Sequence, residues 1–121
     1  MAFSQITSKP LEPSEADNFI DLELRRILET TQPKLVYLFG SGARGELTDA
    51  SDLDFLIVLE DESNLKAAKK KYYSSRLPKK IAVDAVFVTL SEFKSRSIVG
   101  GICMVCLDEG KLLFPPNGAP E

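Results

Sequence analysis

Two rhythms of apolar residues run along the chain. Phe19, Ile20, Leu24, Ile27 and Leu28 recur three and four positions apart, which predicts an amphipathic helix. Pro13 and Ser14 mark its start, with Ser14 as the cap and Asp17 three residues later, and Thr30, Thr31 and Pro33 mark its end. Short apolar runs follow at residues 34–39 (KLVYLF), 53–59 (LDFLIVL), 81–89 (IAVDAVFVT) and 111–114 (KLLF), and these predict strands. A helix opens at Asp61, Glu62 and Ser63 and runs to about Ser75. Another starts at Ser91 and is interrupted near Gly100-Gly101, with Gly110 as a stop signal. The order helix, strand, strand, helix, strand, helix, strand predicts an α/β (α+β) domain: a single mixed sheet of about four strands with flanking helices. One domain is expected over residues 1–121, its ordered core at about 14–114 and flexible tails at 1–12 and 115–121.

Composition narrows the chemistry. Apolar residues make up 44% and charged residues 27%, the balance of a globular protein. The net charge of −3 disfavours direct nucleic-acid binding. No apolar run reaches membrane-spanning length and the start lacks a secretory pattern, so a cytoplasmic location is expected. Histidine is absent, which removes Ser-His and Cys-His nucleophile pairs. The two cysteines, Cys103 and Cys106, have no second pair with which to hold zinc and are read as core packing. Catalysis is left to carboxylates, lysines, hydroxyls or an oxygen-bound metal.

Three aspartates suit that chemistry. Asp52 and Asp54 stand two apart at the start of a predicted strand, so both project from one face. Like charges held that close repel, and a hard divalent cation such as Mg²⁺ relieves the repulsion. Asp84 interrupts the apolar run IAVDAVFV, where a buried charge is costly unless paired or metal-bound. If the second and third strands are neighbours, all three carboxylates meet on one face and can hold two ions. Taken singly, the D-x-D pair also reads as a turn or cap, and Asp84 also reads as the partner of a distant lysine or arginine.

Gly40-Ser41 follows the first strand directly. Glycine permits unusual torsions and close ligand approach, and a short helix from Gly42 would offer free N–H groups to an anion. Ser41 and Arg44 could bind phosphate oxygens. A simple strand-to-helix turn is the other reading. Ten residues separate Ser41 from Asp52, giving G-S-x10-D-x-D. The segment LFGSGARGELTDASDLDFLIV resembles the signature of the DNA polymerase beta nucleotidyltransferase superfamily, and is most similar to its minimal nucleotidyltransferases. The resemblance covers roughly residues 14–114, including the closing EGKLLF. It implies a polymerase-beta-type fold, Gly40 and Ser41 (with Arg44) on the nucleotide phosphates, and Asp52, Asp54 and Asp84 as catalytic metal ligands. It further implies two Mg²⁺ ions and ATP as donor.

Resemblance alone also implies a partner. Small transferases of this type pair with a HEPN-domain ribonuclease toxin, act as its antitoxin, and can adenylylate a toxin tyrosine. Two other readings stay open: transfer to a small-molecule hydroxyl, and inhibition by binding without catalysis. The run from Asn64 to Lys80, with Lys66, Lys69, Lys70, Lys71, Arg76, Lys79 and Lys80 around Tyr72 and Tyr73, reads as a solvated helix face. A docking surface or an RNA-stacking platform are its alternatives.

Overall fold

The computed structural model describes residues 12–40, 42–45, 48, 52–75, 82–99 and 109–116. The element order is α1 (Pro13–Thr31), β1 (Leu35–Phe39), β2 (Asp52–Leu59), α2 (Glu62–Ser74), β3 (Ala82–Thr89), α3 (Leu90–Val99) and β4 (Lys111–Phe114). This is the order the apolar rhythms predict. The strands form one sheet in the order β3-β2-β1-β4. β1 pairs antiparallel with β2 and with β4, whereas β2 and β3 run parallel. Parallel neighbours need a crossover, and α2 supplies it. The sheet is therefore mixed, with helices on both faces, as expected.

Strand alternation divides the apolar residues between two layers. Val36, Leu38, Leu53, Phe55, Ile57 and Leu59 join Ile27 of α1 and Leu65, Ala68 and Tyr72 of α2 in one core. Leu35, Tyr37, Leu56, Val58 and Val88 join Phe93 of α3 in the other. Tyr37 and Phe93 stack there with ring centroids 5.7 Å apart. Central β2 is buried from Phe55 to Leu59. Edge strand β3 is covered fully only at Val88 and Thr89.

Two helix starts differ from the sequence expectation. Helix α1 begins one residue before Ser14. Glu12 is its N-cap, Pro13 takes the first helical position, and the Glu12 amide donates to Glu15 Oε1 at 3.4 Å. Proline at that position has a φ already suited to the helix and lacks an N–H that would go unpaired there, which places the cap outside Ser14. Helix α3 starts at Leu90 rather than Ser91, because Thr89 and Glu92 close a reciprocal box. The Glu92 amide donates to the Thr89 hydroxyl (3.2 Å), and the Thr89 amide donates to Glu92 Oε1 (3.0 Å). Helix α2 follows the expected cap: Asp61 Oδ1 accepts from the Asn64 amide at 2.9 Å.

A buried polar cluster joins α1 to α2. Glu23, Arg26 and Tyr72 are each 5% exposed or less. Arg26 Nη1 donates to Glu23 Oε2 at 2.7 Å, and its Nη2 donates to the Tyr72 carbonyl at 2.9 Å. The Tyr72 hydroxyl also donates to Glu23 Oε2. The guanidinium carbon lies 4.1 Å from the Tyr72 ring centroid. Burial and the Glu23 carboxylate push the Tyr72 phenol well above its ordinary range. Tyr72 is thus locked inside, which corrects the idea that it could stack on RNA beside the lysines.

Candidate active site

The chain turns sharply at Gly40, directly after β1, and this turn reaches the start of β2. Phe39 pairs with Asp54 across the antiparallel β1–β2 ladder. Asp54 in turn pairs with Asp84 across the parallel β2–β3 ladder, and Asp52 pairs with Ala82. In-register neighbours share a face and stand about 5 Å apart. Leu53, between the two β2 aspartates, is fully buried in the core beneath α1 and α2. Asp52, Asp54 and Asp84 therefore share the opposite face, at the sheet end where β2 and β3 begin and β1 ends.

The three carboxylates are unequal. Asp54 is half-buried, while Asp52 and Asp84 are exposed. The exposure of Asp84 differs from the buried charge expected from its apolar run. Strand β3 is a sheet edge, and its first residues are less covered than its last. Asp54 bears the strain of the group. Burial, then the charges of Asp84 and Asp52, raise its carboxyl above the ordinary range, and Arg44 pulls it back down. The fields of all three charged neighbours reach this one carboxylate.

Gly40 has φ +69°, in the left-handed region. A β-carbon there would lie 2.5 Å from Asp54 Oδ2. Glycine is thus required twice, by its torsion and by the carboxylate seated against it. The sequence reading gives Gly40 an unusual torsion and close ligand approach, and the torsion is present. The register Phe39↔Asp54 reveals its second role, and strand pattern alone does not supply that register.

The turn after Gly40 is a single tight one. The Ala43 and Arg44 amides both donate to the Gly40 carbonyl, at 3.1 and 3.3 Å, and the Gly45 amide donates to Gly42 O at 3.3 Å. Gly45, at φ +71°, ends it. The helix expected from Gly42 does not form: residues 42–45 are a turn, and the Ala43 and Arg44 amides are already used within it. Ser41 lies outside the described residues, as do Arg76, Lys79, Lys80, Gly100, Gly101, Cys103 and Cys106.

The donor set suits a hard divalent cation: carboxylate oxygens only, on neighbouring strands, with one acid whose charge is opposed by the others. Among the described residues no three acidic, histidine or cysteine side chains are gathered onto a single ion position. No helix among the described residues is long and apolar enough to cross a membrane.

A family model described as "Nucleotidyltransferase domain" matches residues 22–112. No curated protein matches the chain. A crystal structure described as a candidate nucleotidyltransferase from Sulfolobus solfataricus is similar in fold. Its TM-score is 0.56 at 23% identity, with 88% of each chain covered. A toxin–antitoxin structure with AMP-PNP is similar at a TM-score of 0.49 and 26% identity, covering 78% of this chain and 72% of that one. The family match spans most of the chain and includes all three aspartates and the Gly40 turn, so the chain belongs to the nucleotidyltransferase domain family.

Proposed function

We propose that the chain is a Mg²⁺-dependent adenylyltransferase that moves AMP from ATP to a tyrosine hydroxyl of a HEPN-domain toxin, and so acts as its antitoxin. One observation carries the catalytic part: the in-register pairing of Asp54 with Asp84, with Asp52 two residues away on the same face. The nucleotidyltransferase family match supports transfer in general. The signature resemblance of the G-S-x10-D-x-D segment supports the donor, the acceptor and the partner.

Asp52, Asp54 and Asp84 would hold two divalent ions. When bound, such ions lower the pKa of an attacking hydroxyl and neutralise charge on the departing side. Gly40 keeps Asp54 seated by leaving space for its carboxylate. Arg44 would hold phosphate oxygens through its forked donors, and Ser41 would add its hydroxyl. The acceptor oxygen forms a bond to the α-phosphorus. The bond from that phosphorus to the α,β-bridging oxygen breaks, and pyrophosphate leaves with the electron pair. Asp84, exposed at the edge strand, takes the hydroxyl proton. The work is mainly positioning and preorganised charge.

The experiment is mass spectrometry of the toxin after incubation with the chain, ATP and Mg²⁺. A gain of one AMP on a tyrosine is expected, lost with EDTA and with Asp52→Asn. An unmodified toxin defeats the proposal. Full inhibition of the toxin by an Asp52→Asn/Asp54→Asn/Asp84→Asn variant without ATP defeats it in favour of binding alone.

A further inference from the structure

The two helices that cover one sheet face carry opposite charge. Four acidic residues of α1 are exposed, Glu15, Asp17, Asp21 and Glu29, against one exposed base, Arg25. Helix α2 exposes four lysines, Lys66, Lys69, Lys70 and Lys71, against one acid, Glu62. Within the chain these charges hardly meet. Asp21 pairs with Arg25 of its own helix, and among the described residues no ion pair joins α1 to α2. Their bond is the buried cluster of Glu23, Arg26 and Tyr72 beneath them.

The same two helices carry the large apolar side chains most exposed among the described residues, Leu22 of α1 at 63% and Tyr73 of α2 at 50%. Acidic helix, basic helix and one apolar side chain on each make a face that is complementary to itself. A two-fold axis lying along the helices would set α1 of each copy over α2 of the other, so the contact is made twice.

We propose that the α1/α2 face is a self-association surface, on which α1 of one copy packs against α2 of a second copy, carboxylates meeting lysines. Size sets its strength. Helix α1, of 19 residues, is about 28 Å long and α2, of 13 residues, about 20 Å, each about 10 Å wide, so the face offers roughly 480 Å² per copy. The dimer then buries roughly 960 Å², just short of the ~1,000 Å² of a stable specific interface and in the range of weak, transient ones. The dimer is accordingly modest in affinity and weakened by salt. RNA is the poorer occupant of α2, because Tyr72 is sealed inside, Tyr73 offers a single ring, and the chain carries a net charge of −3. This inference is independent of the transferase reading, since the carboxylate trio lies on the opposite sheet face.

Sedimentation velocity of the whole chain from about 1 to 100 µM, at low and at high salt, tests it. A dimer at low salt that dissociates at high salt is expected. Lys66→Glu/Lys70→Glu should weaken it at least tenfold, and so should Asp21→Lys/Glu29→Lys. Combining the two sets should restore dimerisation, which a merely damaged fold would not do; circular dichroism checks the fold of each. A monomer throughout overturns the proposal, and so does a dimer indifferent to both reversals. Salt-sensitive binding of polyuridylate by a monomer, lost in the lysine variant, overturns it in favour of RNA.

Discussion

Gly40, in the turn after β1, and Asp54, on β2, compete for the same space: a β-carbon on the glycine would fall 2.5 Å from Asp54 Oδ2. The left-handed torsion of Gly40 adds a backbone penalty of about 1–2 kcal/mol for any other residue. Gly40→Ala is therefore expected to displace the carboxylate as well as strain the turn. Transfer should fall about a hundredfold, the scale of a misplacement of about 1 Å. Thermal melting should show a folded protein. A variant of unchanged turnover would remove Gly40 from its positioning role.

Asp54 is a site of conflict between stability and chemistry. Burial and the charges of Asp84 and Asp52 raise its carboxyl above the ordinary range. Its ionised form is disfavoured in the fold, so metal-free stability should increase as pH falls through the raised value. Asp54→Asn should stabilise the metal-free protein by a few tenths up to about 1 kcal/mol, discounted for solvent screening, and raise melting by a few degrees. The same variant should lose transfer. Calorimetry with EDTA, paired with a turnover assay, checks both; a destabilised variant would contradict the conflict.

The cluster beneath α1 and α2 behaves as a unit. Arg26→Met alone leaves the buried Glu23 carboxylate without its cation and is expected to cost about 3–5 kcal/mol. Adding Glu23→Leu should recover much of that loss, because no uncompensated charge then remains. Urea titration of the three proteins measures the coupling.

Alkaline pH probes the same cluster through Tyr72. Its phenol is raised above the ordinary value of 10.0 by burial and by Glu23. The unfolded chain loses that proton first as pH rises. The contribution is therefore fully present below about pH 10 and is lost above it as pH climbs toward the folded value. Urea midpoints between about pH 9 and 11 should fall in the native protein, and more gently in Tyr72→Phe. Parallel curves would show that another group dominates.

Much of this molecule can be read in its residues. Apolar spacing locates all seven elements, because helices bury a stripe and the central strands are continuous apolar runs buried on both faces, and the i, i+2 spacing puts Asp52 and Asp54 on one side of β2. Register is the part that spacing cannot supply. That Asp54 meets Asp84, rather than Ala82 or Val86, follows from how α2 carries the chain between β2 and β3. Asp84 looked buried because its neighbours are apolar, yet an edge strand leaves its first residues uncovered. The Glu23–Arg26 pair had a visible sign: both fall on the helical stripe of Phe19, Ile20 and Ile27, where charged residues need partners. Tyr72 gave no such sign, since its ring suits the core and a surface equally well.

The parallel pairing of β2 with β3 also has a consequence for how the molecule comes into being. Asp52, Asp54 and Gly40 are brought together by the adjacent strands β1 and β2. Asp84 joins them only across a loop of about thirty residues that contains α2. The Asp54–Asp84 pairing thus depends on a longer-range closure than the Phe39–Asp54 pairing. Under the proposed mechanism, a chain halted before β3 docks lacks Asp84, the proposed proton acceptor. Transfer as proposed is in this sense a record of completed folding, withheld until the sheet edge is in place.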